Sequence, residues 1–157
     1  MELENYEQKI WQKCKNYKTI FIYIAKDDEV DTKTIIKLLL SRAKRVVVPI
    51  SNIQTNEIEI SEIKDLVSVH KGAYNIDEPK EKLSIKKEDI DIFFVPGRVF
   101  DKKGNRRGRG KGYFDRFLSE IKGKQKIIGL CYTHQLKDKL KTNDWDVPVD
   151  EVILADG

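Results

Sequence analysis

The densest chemistry in the sequence is the run Gly104-Asn105-Arg106-Arg107-Gly108-Arg109-Gly110-Lys111-Gly112, in which four glycines are interleaved with four cations. Glycines permit positive φ and let backbone N–H groups come close to an anion. Arginine contributes a planar fork matched to phosphate oxygens, and lysine a compact charge. A helix is expected to start at Tyr113, and its peptide dipoles would add positive potential at the same place. Bound phosphate is the chemistry these types favour. Asp115, just inside the helix, sets a carboxylate where it can reach a magnesium ion bridging such phosphates. The run lacks the Lys-Ser or Lys-Thr close of a Walker loop. By residue type alone, a solvated turn or a nonspecific nucleic-acid contact therefore stays open.

The elements around the loop are those of an α/β protein. Glu4 to Tyr17 spaces Ile10, Trp11, Cys14 and Tyr17 as one face of an amphipathic helix. Thr19 to Ala25 predicts a buried strand, and Asp31-Thr32 offers an N-cap for a helix to about Ala43, with Ile35, Ile36, Leu38 and Leu39 inward. Val46 to Pro49 predicts a second strand, so this unit points to a parallel sheet covered on both faces. In the polar middle, Glu57 to Ile60 and Leu66 to His70 are candidate strands and Asp77-Glu78-Pro79 a turn. Ile90 to Val95 predicts a strand stopped by Pro96-Gly97, which leads through Val99-Phe100 into the basic loop. Tyr113 to Ile121 has helical spacing, and Lys126 to Cys131 and Glu151 to Leu154 predict further strands. No repeat or linker divides the 157 residues, so one domain spanning 1–157 is expected.

Hydrophobic residues at 39% and charged residues at 36% describe a charged but foldable chain. No apolar run approaches the roughly 20 residues that cross a bilayer, which excludes a membrane-spanning role. Met1 to Glu7 carries three glutamates where a secretory signal would be basic, and Cys14 and Cys131 have no metal-binding or redox spacing. Both features point to the cytoplasm and to reduced, partly buried thiols. The net charge is +4, but Lys102, Lys103, Arg106, Arg107, Arg109 and Lys111 place six positive charges within ten residues. Without them the chain is slightly acidic, so the positive charge is a local patch suited to a local anionic ligand.

Longer stretches carry a family resemblance. Phe100-Asp101, Gly104-Asn105-Arg106 and Gly108-Arg109-Gly110-Lys111-Gly112-Tyr113-Phe114-Asp115 resemble the signature of 5-formyltetrahydrofolate cyclo-ligase, also called methenyltetrahydrofolate synthetase. Asp28-Glu29-Val30-Asp31-Thr32, Val95-Pro96-Gly97 and Trp145-Asp146-Val147-Pro148-Val149-Asp150-Glu151-Val152 follow in the family's order. The resemblance runs from about Tyr17 to Leu154. It implies a layered α/β/α fold of the NagB/RpiA/CoA-transferase type with a mainly parallel sheet. It also implies a reaction in which ATP and Mg²⁺ cyclise 5-formyltetrahydrofolate to 5,10-methenyltetrahydrofolate, with release of ADP and phosphate. In that scheme the formyl oxygen is phosphorylated, a neighbouring folate amine attacks the activated carbon, and phosphate leaves.

On the same resemblance, Arg106, Arg107, Gly108, Arg109, Gly110, Lys111, Gly112, Tyr113 and Phe114 hold the nucleotide. Arg109 and Lys111 serve as the catalytic cations that offset charge on the transferring phosphoryl group. Ile24, Glu29 and the stretch Arg109, Gly110, Lys111, Gly112 and Tyr113 border the folate, and Asp115 and Asp146 hold Mg²⁺. Phe114 stands where a second tyrosine is usual, so a hydroxyl is lost there. Trp145 stands where histidine is frequent and is expected to pack. Glu29 and Asp31 also read as first-turn acids of a helix, and Asp146 as a turn residue. The family's N-terminal lysine and arginine have no counterpart at Lys9, Lys13 or Lys15; Arg98 and Arg107, replacing apolar residues, are candidates to compensate. A diverged paralogue that binds nucleotide or pterin without this activity is the alternative. An RNA-binding module is a weaker one, because Asp115 and Asp146 would repel a phosphate backbone. The expected partners are small molecules, with the chain acting as a monomer.

Overall fold

A computed structural model describes residues 5–26, 28–52, 57–66, 69–71, 77–108 and 113–157. In chain order the elements are α1 (Asn5–Cys14), β1 (Thr19–Ile22), α2 (Lys33–Ser41), β2 (Arg45–Asn52), β3 (Glu57–Ile63), β4 (Val69–Lys71), β5 (Asp77–Pro79), β6 (Ile92–Val95), β7 (Val99–Asp101), β8 (Arg106–Arg107), α3 (Tyr113–Ser119), β9 (Lys126–Cys131), β10 (Leu136–Lys137) and β11 (Glu151–Leu154). The main sheet runs β11-β9-β6-β1-β2-β3. Its pairings are parallel except for the β2–β3 hairpin at one edge.

Each parallel strand is apolar on both sides because each face of the sheet is covered. Ile20, Ile22, Val46, Val48, Ile92, Phe94, Ile128 and Leu130 point to one face, where Ile10 and Cys14 of α1 and Ile35, Ile36, Leu38 and Leu39 of α2 meet them. Phe21, Val47, Phe93, Val95 and Ile127 point to the other, against Phe117, Leu118 and Ile121 from α3 and its C-terminal turn. The rings of Phe21, Phe93 and Phe117 pack with centroids 5.2–5.9 Å apart. Each fully buried ring is worth about 1.5–3 kcal/mol. The result is the layered, mainly parallel α/β arrangement expected from the alternation of elements.

Several local expectations are corrected. Tyr17 does not share the apolar face of α1: the helix ends at Cys14 and Tyr17 lies beyond it, 40% exposed. Thr32 precedes α2 but does not cap it with its side chain. Its hydroxyl donates to Tyr23 O (2.6 Å) and accepts from the Ala25 N–H (3.1 Å), closing the loop after β1, while Asp31 Oδ1 accepts from the Lys33 N–H (3.0 Å). Asp77-Glu78-Pro79 is not a turn but β5, paired antiparallel with β4. The first part of the basic loop is also ordered as a hairpin, with β7 antiparallel to β8 and parallel to the short β10.

Cys14 and Cys131 are both buried and free. Burial pushes each thiol up to about 11, partly offset at Cys14 by the nearby Lys44 ammonium and reinforced at Cys131 by Asp156. Neither is a ready thiolate at neutral pH. We predict that at pH 8 the native protein leaves a disulfide-exchange reagent such as DTNB unconsumed over the time in which urea-unfolded protein consumes two equivalents; rapid reaction of the native protein would contradict this burial.

Candidate functional site

In the main sheet, β1 leads through α2 to β2 on one side, whereas β6, its other neighbour, leads through α3 to β9 on the opposite side. The connections after β1 and β6 therefore diverge, the arrangement at which open α/β sheets hold ligands beyond the carboxyl ends of their strands. The loop after β1 carries Glu29, and the segment after β6 carries the basic run.

The loop after β1 is tied to itself. Besides the Thr32 bonds, the Tyr23 hydroxyl donates to Val30 O (3.2 Å) and the Lys26 N–H donates to Glu29 Oε1 (2.7 Å). The Glu29 carboxylate is thus oriented by backbone. Burial foremost, with Glu29 next, holds the Tyr23 phenol well above its usual range, so it stays a neutral donor. Ile24 is buried with the core on the α1–α2 face and offers only 3% of its surface to a ligand.

After β6, Asp101 organises the turn between β7 and β8. It is fully buried. Oδ1 accepts from the Lys103 and Asn105 N–H groups (both 2.9 Å), and Oδ2 from Asn105 Nδ2 (2.9 Å) and the Leu140 N–H (3.0 Å). Burial raises its pKa, but the bonds from Asn105, Leu140 and Lys103 outweigh it and leave the carboxyl below its ordinary value. Gly104 turns the chain at φ +87, and a Cβ there would lie 2.3 Å from Val149 O. Its carbonyl accepts from the Val149 N–H (2.8 Å), which binds the hairpin to the chain before β11. From beneath, the Phe100 ring seats against Gly129 of β9, where a Cβ would come within 2.4 Å of it.

Arg106 is buried, with its side chain 3% exposed. Its Nε donates to Pro96 O (2.6 Å), its guanidinium carbon lies 5.1 Å from the Phe114 ring centre, and Nη1 is 3.7 Å from Asp115 Oδ1. Burial lowers its pKa, opposed by Asp115, Glu29 and Asp146 in that order. Asp115 Oδ1 also accepts from the Val147 N–H (3.4 Å), placing the start of α3 beside the 143–147 turn. In that turn Asp146 Oδ2 accepts from the Asn143 N–H (2.7 Å), and the Asp146 N–H donates to Asn143 O (3.0 Å). Asp146 is thus a turn residue, one position before the Val147 N–H that bonds Asp115.

The structure therefore brings together Arg106, Phe114 and Asp115, with the 143–147 turn that carries Asp146 beside Asp115, while Glu29 lies on the loop after β1. Arg107 and Gly108 continue from β8; Arg107 is exposed and its Nη2 donates to Lys141 O (2.6 Å), and Arg98 is exposed beside it. Arg109, Gly110, Lys111 and Gly112 lie outside the described residues, and Tyr113 opens α3. Trp145, expected to pack, is instead 67% exposed. Phe114 stacks edge-on against Phe117 as well as under Arg106. Sequence reasoning gave no structural role to Asp101 or Gln135. The signal for Asp101 was present, since an aspartate three residues before Gly-Asn is an Asx-turn pattern. Gln135 is buried, its Nε2 donating to Gly97 O (3.3 Å) and Arg98 O (3.2 Å), and nothing in its local sequence marks this.

Three sets of comparisons bear on this arrangement. The family model described as "5-formyltetrahydrofolate cyclo-ligase family" matches residues 3–155. The 5-formyltetrahydrofolate cyclo-ligase of Mus musculus is 31% identical over 153 residues, covering 90% of this chain and 75% of its own. That of Haemophilus influenzae is 33% identical over 143 residues, covering 88% and 76%. Among solved structures, the 5,10-methenyltetrahydrofolate synthetase of Aquifex aeolicus superposes with a TM-score of 0.77 at 30% identity, over 97% of this chain and 79% of its own. The synthetase from Mycoplasma pneumoniae does so with a TM-score of 0.73 at 27% identity, over 94% and 81%.

Asp101→Asn is predicted to cost about 2–4 kcal/mol, because the carboxamide must turn an NH₂ toward two donors where the carboxylate accepted four bonds. With its folded-state pKa depressed, Asp101 contributes stability fully above the unfolded-state value of about 3.9 and loses it as pH falls through the folded-state value. Urea titrations between pH 7 and pH 2 should show the wild type losing this increment below about pH 4, with the variant's curve flatter there. A variant as stable as wild type at pH 7 would remove Asp101 from its organising role.

Proposed function

The chain belongs to the 5-formyltetrahydrofolate cyclo-ligase family, and from that premise we propose that it cyclises 5-formyltetrahydrofolate to 5,10-methenyltetrahydrofolate at the expense of ATP, releasing ADP and phosphate. The observation that supports the proposal is the placement of Asp115, 3.7 Å from the buried Arg106 guanidinium and bonded by the Val147 N–H, at the divergence of β1 and β6. Cyclisation of an N-formyl group has a poor leaving oxygen. Transfer of the γ-phosphoryl group to the formyl oxygen converts it to a phosphate ester, the adjacent amine then attacks the formyl carbon, and the C–O bond breaks as inorganic phosphate departs. The protein need supply no nucleophile, only positioning and compensation of phosphoryl charge.

Glu29, fixed by the Lys26 N–H, is set to accept hydrogen bonds from a pterin ring. Arg109 and Lys111, four and two residues ahead of the first described turn of Asp115-bearing α3, are assigned the transferring phosphoryl group, and Arg107 and Arg98 supply exposed positive charge at the rim. Asp115 and Asp146 suit a magnesium ion as hard carboxylate donors. Two carboxylates without a closed cage fit an ion that keeps water and shares phosphate oxygens. When bound, it would neutralise charge on the triphosphate. Two buried reduced thiols accord with action in the cytoplasm.

The test is absorbance of the methenyl product on mixing purified protein with 5-formyltetrahydrofolate, ATP and Mg²⁺. Wild type should form it, and Arg109→Ala and Lys111→Ala should each lower kcat by about 10²–10³-fold, as loss of one preorganised charge does elsewhere. Binding of ATP or folate without product would favour the diverged paralogue instead.

A further inference from the structure

We infer that Tyr6 and Tyr23 are positioning residues for the folate: their hydroxyls hold the two carbonyls that follow Glu29 and so fix its carboxylate before substrate arrives. The inference rests on the proposal that Glu29 binds the pterin ring, and it gives α1 a part in the folate side of the site.

The backbone just after Glu29 is held from two directions. The Tyr23 hydroxyl donates to Val30 O (3.2 Å), and the Tyr6 hydroxyl, from the second residue of α1, donates to Asp31 O (3.2 Å). Tyr23 and Val30 are each 2% exposed, so the first of these bonds lies inside the protein. Tyr6 is half-buried and packs against the core on the α1–α2 face. Ahead of Glu29 the bonds are the loop's own: the Glu29 N–H donates to Lys26 O (2.9 Å), and the Lys26 N–H to Glu29 Oε1 (2.7 Å). Two phenols, one from the end of β1 and one from a helix 25 positions earlier than its acceptor, thus converge on consecutive carbonyls beside the one carboxylate assigned to the pterin.

A buried phenol needs a partner for its O–H, and satisfying it anywhere would suffice for stability. Convergence beside Glu29 does more. A loop that orders only when ligand binds subtracts the cost of ordering from the affinity, whereas one already fixed does not. Without either hydroxyl, the chain after Glu29 gains positions in which the carboxylate misses the ring. The phosphoryl side lies on segments after β6, with Arg106 on β8 and Asp115 on α3, and should not register the change.

The probe is 5-formyltetrahydrofolate, its Kd measured by calorimetry on nucleotide-free protein, alongside KM and kcat. Tyr6→Phe and Tyr23→Phe should each raise the folate Kd and KM about three- to tenfold, the range of one lost hydrogen bond, with kcat and the KM for ATP within about twofold of wild type. Lost stability alone would lower the active fraction, and with it the apparent kcat, leaving both KM values in place. In a Glu29→Ala background either substitution should add less than about twofold, because no carboxylate remains to be positioned. Unchanged folate affinity in both phenylalanine variants, or the same loss with and without Glu29, would overturn the inference. Should Tyr23→Phe fail to fold, Tyr6→Phe decides, since it removes one hydroxyl from a half-buried ring. A Glu29→Ala protein that binds folate as tightly as wild type, or a wild type that binds none, would remove the reading of Glu29 and this inference with it. Weaker binding by Glu29→Ala with no change in the phenylalanine variants would remove the inference alone. Absence of methenyl product would refute the cyclo-ligase activity and leave the comparison of Kd values standing.

Discussion

Neighbouring parallel strands whose chains continue toward opposite faces of a sheet cannot fill the space beyond their ends with their own connections. Here β1 is followed by a helix on one face and β6 by a helix on the other, and the rest of the site depends on that divergence. It leaves room for the loop bearing Glu29 and for the hairpin bearing Arg106 to approach from two sides. It also explains the placement of so much polar bonding: buried backbone that leaves a strand must find partners, and side chains of Thr32, Asp101 and Gln135 supply them.

Much of the sheet was legible because its period is strong. Lys126–Cys131 and Glu151–Leu154 are strands with the bounds read from their apolar runs, and all four inward residues expected on α2 are buried. Legibility failed where long-range contacts decide. Asp77-Glu78-Pro79 has turn residues, yet pairing with Val69–Lys71 makes it an edge strand, where proline is tolerated. Arg106 and Arg107 look alike as letters in a basic run. Only the pleat of β8 sends the first inward and the second outward, and no periodicity exists in two residues to foretell it.

The site followed the same division. That Glu29, Asp115 and Asp146 serve one site was expected only through resemblance, since more than a hundred positions separate the first from the last. What composition could not reveal is the approach of Asp115 to the buried Arg106 guanidinium, a property of tertiary contact. Trp145 is the converse case: a large indole predicts burial by its hydrophobicity, but the turn at Asn143–Asp146 holds it at the surface.

The bond from Val149 to Gly104, and the fit of Gly104 beneath the Val149 carbonyl, carry a consequence for biosynthesis. Chains emerge from the ribosome in order, at about 5–20 residues per second, and early segments fold while later ones are still being added. The basic hairpin emerges some forty residues before the segment that clamps it. During that interval its cations are present without Asp146 and without the Val149 latch, on a nascent chain surrounded by ribosomal RNA. The clamp on the hairpin can therefore form only after residues 143–149 have been translated.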